Sequence, residues 1–238
     1  MIDIGPLRVM SFNIHHGVGT DEVLDLSRIA SVIRDGRPDV VALQEADRRF
    51  GLRSDHADQP SWLGRSLGLW SLFAPSLRSG IGEYGNAVLT AVAVTSWDWM
   101  PLVVAEGSEP RSLLRCTLPS GVRIWATHFS SESAAARVDQ AGELVERFRA
   151  DPGPTVLLGD LNAGPRDPAL SVLGAEFVDV WSALRGVEPG FTFRADQPRI
   201  RIDYVLITPD IAPRHVDLVN VGSAADHHAV VADLGQAQ

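Results

Sequence analysis

Thr155-Val156-Leu157-Leu158-Gly159-Asp160-Leu161-Asn162-Ala163-Gly164-Pro165 is the stretch on which the fold turns. The apolar and β-branched run Thr155 to Leu158 reads as a strand buried on both faces. Gly159 ends it, and Gly164-Pro165 closes the following turn. Between them stand Asp160 and Asn162, whose spacing puts both side chains on one side if the extended conformation persists. A carboxylate and an amide projecting from the end of a core strand form a rigid mount for chemistry. An Asx turn leaving a strand uses the same residues. Alone, the segment supports the two readings equally.

Composition narrows the function. The chain has 238 residues, 45% of them hydrophobic, enough for a large core in one domain spanning 1–238. No apolar run is long enough to span a bilayer. Met1 to Pro6 carries Asp3 and no basic-then-apolar pattern, so no leader is expected and the compartment is read as cytoplasmic. The single cysteine, Cys116, excludes an internal disulfide, fits a reducing compartment and is read as a small core residue. The net charge is −9, with 30 acidic residues against 21 basic ones, every one of them arginine. Duplex binding draws on neutralising several phosphates, so tight non-specific binding to nucleic acid is not expected. The six tryptophans are read as core and edge packing rather than a base-stacking platform. A monomer is expected.

Outward from the organising strand, hydrophobic periodicity gives a mixed order. Strands are expected at Leu7 to Ile14, Asp39 to Leu43, Leu72 to Pro75, Asn86 to Thr90 and Ala91 to Trp97. A hairpin joins Arg111–Leu118 to Val122–Thr127 across Pro119-Ser120-Gly121. Phe177 to Trp181 reads as extended, and Arg201 to Ile207, Val216 to Val221 and Ala229 to Leu234 as the final strands. Helices are expected at Val23 to Ile33, Trp62 to Leu69, Leu170 to Leu173 and Ala134 to Phe148, the last capped by Ser133. Residues 48–61 read as loop. Many sequential strands with interspersed helices favour two mixed sheets packed face to face with helices outside.

Most strands stop at a polar cluster: Asn13, Glu45, His128, Asp160 with Asn162, and Asp226-His227 just before the last strand, with Asp203 inside its own. If these converge, an oxygen-rich site results, which suits Mg²⁺ or Mn²⁺ better than zinc and suits a phosphate substrate. Bland readings stand beside this one. Glu45 after a buried strand can be a solvated loop residue. Asp203 can pair with Arg201, which period two places on its face. His128 can be a strand-end histidine satisfied by backbone. Arg111, after Pro110, is a candidate phosphate contact, with a plain surface arginine the favoured alternative. Tyr84 and Asn86 either line a site or shape a glycine turn.

The segments Ser11-Phe12-Asn13-Ile14, Val41-Ala42-Leu43-Gln44-Glu45, Tyr84-Gly85-Asn86, Thr127-His128-Phe129, Gly159-Asp160-Leu161-Asn162, Arg201-Ile202-Asp203-Tyr204 and Ala225-Asp226-His227 resemble, in order and across nearly the whole chain, the endonuclease/exonuclease/phosphatase superfamily of metal-dependent phosphohydrolases. The resemblance implies a four-layered α/β sandwich with its site at one edge of two central sheets. It implies Glu45 as the main ligand of Mg²⁺ or Mn²⁺, with Asn13 and Asp226 helping to hold the metal or its waters. Asp160 would orient or deprotonate the attacking water, and Asn162 and His128 would bind phosphate oxygens. Asp203 would hold His227 in its charged form. Asn86, Arg111 and His15 are the further substrate-binding candidates.

The chain departs from the pattern at His15, where repair endonucleases of the superfamily carry an acidic ligand, and at His228. With His16, these could line the pocket with imidazoles. The chain is also short for the superfamily, with little room for groove-gripping loops. The expected function is divalent-metal-dependent hydrolysis of a small phosphodiester or phosphomonoester, such as a lipid or sugar-derived head group. A DNA or RNA nuclease is the alternative, and a non-catalytic binding module on the same fold a third.

Overall fold

The computed structural model describes residues 5–237. Of the leaderless start expected at Met1–Pro6, residues 1–4 lie outside that range. In chain order the elements are β1 (Leu7–Asn13), α1 (Leu26–Gly36), β2 (Val40–Arg48), α2 (Gln59–Leu67), β3 (Trp70–Ser79), β4 (Gly82–Thr90), β5 (Ser96–Pro101), β6 (Ser112–Thr117) and β7 (Arg123–His128). They continue with α3 (Ala134–Ala150), β8 (Thr155–Asp160), α4 (Pro168–Leu173), β9 (Val178–Asp179), α5 (Val180–Arg185), β10 (Asp203–Ile207), β11 (Ile211–Val219) and β12 (Ala229–Gln236).

The strands form two six-stranded mixed sheets, ordered β11-β12-β1-β2-β4-β3 and β5-β6-β7-β8-β10-β9. The expected two-sheet sandwich is what the chain adopts. Strand alternation explains the layering, because successive side chains point to opposite faces. Val40 and Ala42 of β2 and Val156 and Leu158 of β8 share the core between the sheets. Their neighbours Val41 and Leu43 turn outward, onto Ile29 and Ile33 of α1. Leu157 turns outward onto Leu144 and Phe148 of α3. Both faces of the central strands are covered, which is why those strands read as continuous apolar runs. No helix among the described residues is long and apolar enough to cross a membrane. Cys116 is a free, buried thiol in the inter-sheet core, and burial raises its pKa to about 12.

Several boundaries differ from expectation for physical reasons. Residues 48–61 are not all loop: a short 3₁₀ turn covers Leu52–Ser54, and α2 already starts at Gln59. Asp58 caps α2 by accepting from Ser61 N, and Pro60 sits in its first turn, where a missing N–H costs nothing. The run from Ala91 is a turn off β4, and β5 begins only at Ser96. Val180 and Trp181 are helical rather than extended, because Asp179 accepts from Trp181 N and caps α5. α1 runs three residues later than its apolar spacing suggests, from the Asp25 cap, which accepts from Ser27 N and Arg28 N, to a left-handed Arg37. Glu45 does not end β2. The strand continues to Arg48 through an irregularity between Leu43 and Ala46.

Candidate functional site

β8 carries the centre of the site. Its Gly159 lets β7 approach closely, since a Cβ there would lie 2.4 Å from the Thr127 carbonyl. The next residue, Asp160, is flanked in register by His128 of β7 and Asp203 of β10. The extended path does not persist past it. Asn162 adopts a left-handed φ of 48°, and Asp160 Oδ1 accepts from Asn162 N at 2.9 Å. The segment is thus an Asx turn and a mount at once, because the Asn162 amide still reaches to 2.9 Å from His128 Nε2 and donates to the Phe129 carbonyl.

The other sheet supplies the rest. Asn13, at the end of β1, donates through Nδ2 to Glu45 Oε1 at 3.1 Å and to Asp160 Oδ2 at 3.0 Å. It is fully buried and ties the two carboxylates together. The kink in β2 turns Glu45, with φ 57°, out of the ladder toward the cleft. His227, just before β12, brings Nδ1 to 2.9 Å from Asp203 Oδ2, while its Nε2 lies 3.8 Å from Asp160 Oδ2. Phe193 stacks on the His227 ring with centroids 4.7 Å apart. The bland pairing of Asp203 with Arg201 does not occur. Arg201 instead makes a bidentate contact with Asp179.

Arg111 is not a surface arginine. It is 3% exposed, pairs with Glu109 at 2.7 Å and donates to His128 Nδ1 at 3.2 Å, with its Nε buried and unpartnered. His15, Glu45, Arg111, His128, Asp160, Asn162, Asp226 and His227 line one cleft of about 470 Å³. Asn13 and Asp203 stand behind that lining, as does Asn86, whose Nδ2 donates to the Ser112 carbonyl at 2.9 Å and ties β4 to β6. His16 also lines the cleft and His228 does not. Phe50, Arg53, Leu77 and Phe193, which also line it, carry no cue in the sequence. All but Leu77, which lies in β3, come from connecting segments whose path periodicity does not encode. Glu109 also lines the cleft, and its cue is that it flanks Pro110 with Arg111 as an acid–base pair.

Electrostatics separate the groups. Burial, then the neighbouring Asp203, pushes the Asp160 pKa up to about 7. Burial alone would lower His227, but the charge and hydrogen bond of Asp203, with Asp160 and Asp226, outweigh it and raise the imidazole to about 10. His128 is driven well below the usual histidine range by burial and by Arg111 and His227. Burial and Arg53 take His16 down to about 4. A group near 7 beside a cation is the pairing expected of acid–base chemistry.

The donors suit a divalent cation. One oxygen of Glu45 is held by Asn13, and Asp226 Oδ1 is buried with no hydrogen-bond partner, although Asp226 lines the same cleft. Unpaired buried acceptors of this kind are compensated by a positive ion. Among the described residues, two groups of side chains offer ligand atoms within 4.8 Å of one another: His15, His16 and Glu45, and Asp160, Asp203 and His227. In the second, His227 is hydrogen-bonded to Asp203 and faces Asp160 at 3.8 Å, which fits a proton-carrying network better than an open metal site.

Among the described residues, four of the nine non-glycine residues with positive φ line this cleft, namely His15, His16, Glu45 and Asn162. Left-handed backbone costs a side-chain-bearing residue about 1–2 kcal/mol. Such strain clusters where function holds it.

A family model described as the endonuclease/exonuclease/phosphatase family matches residues 10–227. Among solved structures, an endonuclease/exonuclease/phosphatase from Beutenbergia cavernae is 28% identical, with a TM-score of 0.82, covering 98% of this chain and 72% of that one. A mannosyl-6-phosphatase from Bacteroides thetaiotaomicron is 16% identical, with a TM-score of 0.75, over 96% of this chain and 99% of that one. The human Nocturnin catalytic domain with bound sulfate is 21% identical, with a TM-score of 0.75, over 99% and 97%. No curated protein matches.

Proposed function

Because this chain belongs to the endonuclease/exonuclease/phosphatase family, we propose that it is a divalent-metal-dependent hydrolase of small phosphate esters, acting as a single domain. One observation carries the reading. Asp203, His227 and Asp160 form a continuous buried network at the cleft wall that Glu45 and Asp226 also line.

In this reading Glu45 and Asp226 hold Mg²⁺ or Mn²⁺, and Asn13 keeps Glu45 and Asp160 in place. The bound ion supplies charge neutralisation at a phosphoryl oxygen. Asp160 orients a water and takes its proton as the water oxygen bonds to phosphorus and the bond to the leaving oxygen breaks. His227, kept protonated by Asp203, balances charge on the phosphoryl oxygens. The Asn162 amide and the Arg111–His128 pair face the same charge as it grows. His15 contributes to the same binding wall.

The cleft's remaining walls favour a compact substrate. Phe50, Leu77, Tyr84 and Phe193 narrow it, and Glu109 adds negative charge. With a net charge of −9, local phosphate recognition need not extend to a long polyanion.

The test compares p-nitrophenyl phosphate, bis-p-nitrophenyl phosphate, sugar phosphates and duplex oligonucleotides by kcat/KM at two salt concentrations, with Mg²⁺, Mn²⁺ or EDTA. A small ester should be turned over fastest, and EDTA should abolish turnover. Turnover that survives EDTA sinks the metal dependence. Faster cleavage of duplex, falling steeply with salt, replaces this reading with a nuclease.

A further inference from the structure

His15 and His16 belong to no part of the acid–base network, yet both line the cleft beside Glu45. One ligand atom from each of the three lies within 4.8 Å of the others, near enough to share one ion. Their surroundings hold them for that use. The Val18 carbonyl can only accept, so His15 Nδ1, 3.0 Å from it, carries the ring proton and leaves Nε2 with a free lone pair. A second partner that fixes the tautomer in this way is the usual support of a metal-binding histidine. His15 N donates to Asn13 Oδ1 at 3.0 Å, and the His16 carbonyl accepts from Gln59 Nε2 at 2.6 Å, so the backbone of both residues is pinned. His16 Nδ1 is buried with no hydrogen-bond partner. Glu45 is held at one oxygen by the same Asn13.

We propose that His15 and His16 join Glu45 in holding the divalent ion, and that this donor set selects a first-row transition ion such as Mn²⁺ or Co²⁺ over Mg²⁺. The inference rests on the metal-dependent reading above and narrows it. Mg²⁺ takes oxygen ligands and keeps its waters. Imidazole nitrogen raises affinity for the first-row transition ions, least for Mn²⁺ and more for Co²⁺, whereas Mg²⁺ gains little from it. A wall offering two imidazoles to one carboxylate therefore discriminates by ligand type.

The experiment reads binding rather than turnover. Mg²⁺ and Mn²⁺ are titrated calorimetrically into the metal-free full chain, and the Mn²⁺ form is measured by pulsed EPR for coupling to ¹⁴N. Mn²⁺ should bind more tightly than Mg²⁺. His15→Ala and His16→Ala should each weaken Mn²⁺ binding by about 10- to 100-fold, the scale set by losing one supporting metal contact. Mg²⁺ binding should change less. Glu45→Gln should weaken both ions. ¹⁴N coupling should be present in the wild-type chain and in His227→Ala, which excludes that imidazole as its source. Absence of ¹⁴N coupling, absence of Mn²⁺ binding, or unchanged Mn²⁺ affinity in both histidine variants overturns the proposal. If those variants do not fold, the wild-type and His227→Ala spectra decide. Nitrogen-coupled Mn²⁺ with no ester turned over would instead sink the hydrolase reading and leave the metal site standing.

Discussion

Asp203 opens β10 in one sheet and His227 precedes β12 in the other, yet His227 Nδ1 lies 2.9 Å from Asp203 Oδ2. The two do not belong to neighbouring strands of one sheet. The contact crosses the sandwich, and both side chains are buried. The carboxylate is what keeps the imidazole charged.

His227→Ala and Asp203→Asn should therefore each lower kcat/KM on the best small ester by about 10²-fold or more, the range of acid–base groups. The double variant should be little worse than either single one, because residues acting as a unit are non-additive. Losses that multiply would show two independent roles. In Asp203→Asn, NMR titration should find the His227 pKa below its wild-type value of about 10.

Asp160 gives a test in stability. Its folded pKa is raised from 3.8 to about 7, so the folded chain binds more protons than the unfolded chain between those values. The group thus costs stability progressively as pH rises through that window, and by a constant amount above it. The difference in Tm between Asp160→Asn and the wild type, measured in EDTA, should rise from pH 4 to pH 7 and then level. A flat difference across that range would place the carboxylate's pKa near its ordinary value. The same variant should lose most of its turnover.

Arg201 and Asp179 make a prediction away from the chemistry. Their bidentate pair is largely buried, with side-chain exposures of 4% and 19%, and Arg201 also lies 4.6 Å from the centre of the Tyr204 ring. Asp179→Ala leaves the arginine buried without its partner and uncaps α5, which should cost about 3 kcal/mol or more. Denaturant titration measures the loss. The metal affinity of the remaining folded protein should stay within threefold of wild type, since neither residue lines the cleft.

The same residues show what a sequence exposes and what it hides. Apolar runs interrupted by polar ends marked most of the strands, because a strand covered on both faces must be apolar and must stop where water or a ligand begins. Asn13, Asp160 and His128 were legible on that ground. Arg201 was not. Period two offers it only Asp203 on its own strand, whereas its partner is Asp179, at the cap of α5. Nor was the burial of Arg111, since only the fold brings His128 and Glu109 to it. The bend at Glu45 left no trace in periodicity, because its left-handed backbone is set by the path of β2 against β4.

The cleft's parts come from both sheets. Asn13, Glu45 and His227 arrive with one, and His128, Asp160 and Asp203 with the other. The hydrogen bond from Asn13 to Asp160 closes a span of 147 residues. Contacts of such sequence separation form late, once the loop entropy between them has been overcome. β11 and β12 complete the first sheet only when the last residues have been made, so a nascent chain that has finished β5 to β10 still lacks His227 beside Asp203. The cleft is therefore assembled only at the last docking step, and a partly made chain has strands and helices without it.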